Sequence, residues 1–232
     1  MVIICNFLLK KNASPTKHMQ NFIGKTMIEV YTREEANVSY EQIVELMHDS
    51  FQERLGQGLH FTCSAMTVDE YKEKTKGGTI VVAIDTETKE LLGTAMVRIH
   101  EDADGIKYGY HEYLAVSPKA KRLGVGTLLL EKRIIIIIIN AGGQYVMSDT
   151  ACGAQSSVNW HLKNGFLIYE LKSYKSTNYF SYVFVKPLNN SVRKFSRNRV
   201  RLHYCMSFIM TKTFCKEDGS YTTFGKLVRR FR

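Results

Sequence analysis

The chain has 232 residues, 44% hydrophobic and 23% charged, with only 3 prolines, which supports one globular domain with a sizeable core and argues against long disordered linkers. Its net charge of +10 is uneven: residues 191–232 hold eleven Lys/Arg against two acids, so the main body is close to neutral and the basicity belongs to a separate C-terminal element suited to phosphate, anionic lipid or nucleic acid. The five cysteines are odd in number, widely spaced and form no CxxC, which argues against a disulfide framework or a zinc site and suits a reducing compartment, the cytoplasm.

Residues 2–9 are apolar but too short to span a bilayer, and Lys10 and Lys11 follow the run, the reverse of a secretory signal. With Met19 and Met27 as alternative starts, residues 1–27 are expected to be a poorly ordered leader. Ile28–Tyr31 is a short strand. Ser39 with Gln42 forms a capping box, and Ile43, Leu46, Met47 and Phe51 follow at helical spacing. Thr67 with Glu70 repeats the signal before a second helix ending near Gly77. Between them, residues 55–66 either line a substrate pocket or simply connect. Residues 79–84 and 91–99 are strands joined by a polar hairpin, and Lys107–Val116 is a tyrosine-rich strand. A helix is expected from Gly124 to about Ile137, a strand at 144–148, a helix at 156–164, and strands at 166–171 and 179–185. Six consecutive isoleucines, 134–139, wrap a helix on every side, so no single buried face accounts for all of them. They mark either a buried helix end or strand entry, or a contact surface for the tail or a partner.

The segment from Val116 to Thr127 is the most informative. A strand ends, Pro118 stops the ladder, Lys121 and Arg122 bring positive charge, and Gly124 and Gly126 open a helix. The first helical N–H groups have no internal partner and the helix dipole adds partial positive charge, a combination that suits a diphosphate. Glycine would let phosphate oxygens come close to the backbone.

Val116, Pro118, Lys121, Gly124 and Gly126, followed by Leu128 and Leu129, resemble the V-x-P-x-x-[RQ]-x-x-G-x-[GA] pattern of the GNAT superfamily of acyl-CoA N-acyltransferases. Lys121 departs from the usual Arg or Gln, keeping charge but not the planar fork. A second signature of that family, A-x-x-F-Y-x-K-x-G-F, is similar to Ser157–Phe166: Lys163, Gly165 and Phe166 match, while Ser157, Trp160 and His161 replace the alanine, the first aromatic and the tyrosine. The resemblance spans residues 28–186 and leaves 187–232 as an extension. It implies a mixed α/β fold with a mostly antiparallel central sheet flanked by helices, here followed by a basic C-terminal helical extension.

The resemblance also implies acetyl-CoA as acyl donor, no metal, and an amine as acceptor. Main-chain groups near Leu114 and Val116 would pair with the pantetheine arm. The amides of Arg122, Leu123, Gly124, Val125, Gly126 and Thr127 would hold the diphosphate, with Lys121 beside them and Asn159 also at the cofactor. His161 stands at the family's acid position, and its alternative role is packing beside Trp160. For a base, Glu112 and Tyr110 share one strand face, with His111 on the other. Cys152 is read as a small buried thiol, not a nucleophile.

In the tail, residues 191–201 are basic and 202–214 can form an amphipathic helix. The tail either packs on the domain or anchors at an anionic membrane surface. Nucleic acid is not expected as a partner, since no recognised module accompanies the charge.

Overall fold

The computed structural model describes residues 27–55, 61–175, 177–189, 197–216 and 220–230. The expected leader, apart from Met27, and the basic residues 191–196 lie outside the described residues, as do residues 56–60 of the 55–66 stretch.

The chain runs β1 (Ile28–Thr32), α1 (Arg33–Ala36), α2 (Tyr40–Leu55), α3 (Val68–Thr75), β2 (Thr79–Asp85), β3 (Leu91–Glu101), β4 (Lys107–Val116), α4 (Val125–Leu129), α5 (Ile135–Asn140), β5 (Tyr145–Ala151), α6 (Gln155–Lys163), β6 (Leu167–Ser173), β7 (Phe180–Pro187), α7 (Arg197–Phe214) and α8 (Thr223–Arg230). The capping boxes form as expected. Gln42 N–H donates to Ser39 Oγ at 3.2 Å and Glu70 N–H to Thr67 Oγ1 at 3.2 Å, satisfying helix-end donors. A third box, Thr32 with Glu35, starts the short α1, which the sequence pattern did not suggest.

The seven strands form one sheet in the order β1-β2-β3-β4-β5-β7-β6. Every neighbouring pair is antiparallel except β4 with β5. The fold is therefore the expected α/β type with a mostly antiparallel central sheet between helices. Alternation along β2 and β3 splits the core in two. Val81, Ala83, Ala95 and Val97 pack with Leu129, Ile134 and Ile138 on one face. Ile80, Val82 and Met96 pack with Ile43, Met47 and Tyr71 of α2 and α3 on the other.

The helix expected from Gly124 extends to Asn140 in three joined segments, with Leu130–Ile134 in π form between α4 and α5. Packing divides the isoleucines: Ile134 and Ile138 are fully buried, whereas Ile136 and Ile139 are 47% and 55% exposed. The extension is also part of the fold. Helix α7 lies along β6, Tyr182 Oη donates to Thr211 Oγ1 at 2.8 Å, and Tyr221 Oη donates to the Tyr179 carbonyl at 2.9 Å. Among the described residues no helix is long and apolar enough to cross a membrane.

Candidate active site

Strands β4 and β5 pair over three residues only, Gly109 with Val146, Tyr110 with Met147 and His111 with Ser148. Beyond that point β4 follows β3 as far as Val116, while β5 follows β7 as far as Ala151. The two strands therefore fork. A β-bulge sharpens the divergence: the β3–β4 register shifts between Thr94 and Met96, and Tyr113 takes φ 53°. A groove of about 2580 Å³ fills the fork and runs past the start of α4. Such a crevice at a sheet's opening is the ordinary seat of a ligand.

Leu114 and Val116 of β4 line one wall. Ser117 N–H donates to the Leu92 carbonyl at 2.9 Å, so by strand alternation the peptide groups of Val116 turn away from β3, toward the groove. The Val116 carbonyl already accepts a hydrogen bond from Ser50 Oγ at 2.9 Å, a contact from α2 that no sequence motif signals.

At the groove's far end Arg122 and Gly124 both adopt the left-handed region, φ 70° and 77°. This turns the chain so that the N–H groups of Val125, Gly126 and Thr127 precede the first helical bond, Leu128 N–H to Gly124 O at 2.9 Å. Residues 121–127 all line the groove. The two glycines serve different ends. A methyl on Gly124 would meet nothing, so glycine there answers to the backbone angle. A methyl on Gly126 would sit 3.2 Å from Trp160 Nε1, so that glycine admits the indole instead of a ligand oxygen. The Thr127 hydroxyl is committed to Asn164 Oδ1 at 3.0 Å, leaving its amide for the groove.

Buried polar atoms of groove-lining residues lack a hydrogen-bond partner among the described residues, among them Trp160 Nε1 and both ring nitrogens of His111. Burial holds His111 neutral, its pKa pushed down to about 3. Orphaned buried donors carry a desolvation cost that a polar ligand would relieve. The groove thus fits a long anionic ligand with an amide-bearing arm: backbone groups on one wall, orphaned donors inside, and a cationic helix start at its end. No group of three His, Cys, Asp or Glu residues is placed to hold a metal among the described residues.

On the other face of β4, Tyr110 and Glu112 point the same way, as the alternation requires. Tyr110 Oη donates to Asp149 Oδ1 at 2.8 Å, and Arg98 lies 3.1 Å from Glu112 Oε2. Burial pushes the Glu112 and Asp149 carboxyls above the usual range despite these partners. Burial and the Asp149 carboxylate hold the Tyr110 phenol protonated. Tyr174, after β6, closes this end, its phenol raised to about 12, first by burial. Phe61 and Cys63 line the groove as well, so residues 61–63 of the irregular stretch do border the pocket.

His161 borders the groove but is only 3% exposed. Its Nδ1 lies 2.8 Å from the Ser157 carbonyl, which can only accept, and its Nε2 lies 3.0 Å from Ser148 Oγ. Any proton it delivers passes through Ser148. The ring also stacks on Phe184 at 4.3 Å, so it packs in the core as well. Asn159 sits on the exposed side of α6, hydrogen-bonded by Gln155 Nε2 at 2.8 Å, and the groove is lined instead by Ser157 and Trp160. Cys152, partly buried at the end of β5, has its sulfur 3.5 Å from that of Cys215.

A family model described as the acetyltransferase (GNAT) family matches residues 40–166. No curated protein matches the chain. Among solved structures, a GCN5-related N-acetyltransferase from Kribbella flavida is 17% identical, with TM-score 0.54 over 69% of this chain and 98% of that one. A structure described as a putative acetyltransferase from Acinetobacter baylyi ADP1 is 14% identical, with TM-score 0.55 over 71% and 95%. The NatC complex bound to Gag peptide and CoA contributes a chain 15% identical, with TM-score 0.54 over 70% and 99%. At these identities the structural likeness is one of fold.

Proposed function

This chain belongs to the GNAT acetyltransferase family and is an acyltransferase enzyme, and from that premise we propose that it transfers an acetyl group from acetyl-CoA to a primary amine by direct attack. The observation that carries this reading is the fork: a groove that starts between β4 and β5 and ends on the amides opening α4. The similar NatC structure contains CoA.

Main-chain groups of Leu114 and Val116 pair with the donor's pantetheine arm, like an added strand edge. The amides of residues 122–127, with Lys121 and Arg122 near them, hold the diphosphate. Orphaned Trp160 Nε1 takes a polar atom of the arm. Asn159 reaches the donor only by turning from Gln155. Near the fork Glu112 takes the amine's proton, directly or through water, as nitrogen bonds to the acyl carbon and the C–S bond breaks. A main-chain N–H polarises the carbonyl. The departing sulfur is protonated from the Ser148–His161 pair, with the ring in its charged form supplying the proton. Tyr110 orients the neighbouring Asp149 carboxylate.

The test is acetyl-CoA turnover over a panel of primary amines, followed as release of free thiol and as acetylated product. Amine-dependent thiol release is expected. Acetyl-CoA binding without turnover on any amine would favour a non-catalytic CoA-binding module, and absence of binding would remove both readings.

A second role attaches to the extension. Leu202, Met206 and Ile209 of α7 are 61%, 54% and 63% exposed, in a chain segment that also carries most of the net positive charge. Apolar side chains beside cations favour an anionic bilayer surface. We propose that the protein is cytoplasmic and peripheral at the membrane.

A further inference from the structure

Glu112 and Asp149 are the first residues past the last paired position of β4 and β5, so they face each other across the opening of the fork. Their charges are compensated differently. Glu112 has the Arg98 guanidinium at 3.1 Å. Asp149 has neutral hydroxyls beside it, Tyr110 at 2.8 Å and Ser181, and among the described residues no cation within ion-pair distance. Lys172 of β6 lines the same groove and acts on Asp149 only at longer range. A partly buried carboxylate without a paired cation is costly, and the cost is relieved when a cation arrives. Tyr110 and Tyr174 both interact with it, and aromatic side chains can also favour a cation.

We propose that Asp149 is the acceptor-recognising residue, holding the ammonium of an aliphatic primary amine beside Glu112, so that the enzyme selects acceptors that arrive positively charged. This rests on the transferase reading. The assignment separates two roles that sequence alone put on β4. Asp149 binds and orients the nitrogen; the ammonium gives up one proton to water before attack, and Glu112 takes the second as the C–N bond forms. Tyr110 keeps the Asp149 carboxylate turned toward the groove.

The experiment uses the full chain saturated with acetyl-CoA. Acceptors are spermidine, tyramine and lysine methyl ester, which are cationic at pH 7.5, against 4-anisidine and hydroxylamine, which are not. The wild type is expected to favour the cationic set. Asp149→Asn keeps the acceptor atom for Tyr110 but removes the charge. It is expected to raise KM for the cationic amines by about ten- to hundred-fold, the range of a charge-assisted hydrogen bond. Its kcat should change less, and the acetyl-CoA KM should stay in place. Asp149→Glu should recover part of the loss. Glu112→Gln should do the reverse of Asp149→Asn, lowering kcat with little change in amine KM. Unchanged amine KM in a folded Asp149→Asn protein overturns the assignment. So does a wild-type preference for the uncharged acceptors, or no turnover of any panel amine by an enzyme that binds acetyl-CoA. Failure of the wild type to bind acetyl-CoA would instead overturn the transferase reading on which it stands.

Discussion

Asp149 sits where a carboxylate is poorly solvated, and that has a consequence for stability. Burial, set against the Tyr110 and Ser181 hydroxyls and the Lys172 charge, raises its pKa above the unfolded value of about 3.9. The folded protein therefore holds that proton more tightly than the unfolded chain does. The associated stability is complete below the unfolded value and is lost as pH rises through the folded one. The charged groups facing it are Glu112 and, through Glu112, Arg98, together with Lys172, while Tyr110 and Tyr174 stay neutral. At pH 7.5, without ligand, Asp149→Asn should melt a few degrees above the wild type, and the gain should fade as pH approaches 4. A variant that melts no higher at pH 7.5 contradicts this. His111 works in the opposite sense, losing stability for the fold as pH falls from about 6.5 toward about 3, but both proteins carry it, so it cancels in the comparison. At this scale Tyr110 and Glu112 were legible in the sequence, because strand alternation alone puts them on one face. Asp149 was not, since only the parallel register of β4 with β5 brings it opposite Glu112. Asn159 stands outside the groove lining, bonded to Gln155, because a motif position does not say which side of α6 meets the groove.

The isoleucine run shows what decides an element's burial when composition cannot. Six identical residues carry no face of their own, and the face is set by what lies beneath them. Ile138 fills space left by Gly109 of β4 and by Gly143, where added methyls would come within 2.3 and 2.4 Å of it. Ile138→Ala should therefore cost about 2–5 kcal/mol of stability. Ile136→Ala and Ile139→Ala, exposed on the other side, should cost well under half as much. Denaturant titration of the three variants checks this, and three equal losses would contradict the packing described. Gly109→Ala should destabilise through the same contact from the opposite side. The regular strands and both capping boxes were readable in advance because they rest on local chemistry. The Tyr113 bulge was not, since tyrosine carries no turn signal and its φ of 53° is one that non-glycine residues seldom adopt. The π segment at Leu130–Ile134 has no sequence marker either.

At the scale of the whole molecule the extension has a packed inner side and an exposed outer one. Its inner side covers the β6–β7 edge, where Leu171, Phe180, Cys215 and Tyr221 pack together. Deleting it would uncover that cluster, so truncation is expected to destabilise the catalytic domain and not merely release a tether. Substitution of the outer side is the cleaner probe. Leu202→Gln with Met206→Gln and Ile209→Gln should leave turnover and melting temperature in place but reduce sedimentation with phosphatidylserine vesicles, with neutral phosphatidylcholine vesicles as control. Unchanged sedimentation would exclude this face as the membrane contact. The central claim, however, concerns the groove and its helix start, and calorimetric titration of CoA into the wild type and Gly124→Glu tests it most directly. Gly124 has open space for a side chain but a backbone angle of φ 77°, and a carboxylate placed there would meet the bound diphosphate. The wild type should bind CoA saturably and a folded Gly124→Glu protein should not. Equal affinity in the two, or no binding by the wild type, would contradict the placement of the donor on this helix and with it the account of the site.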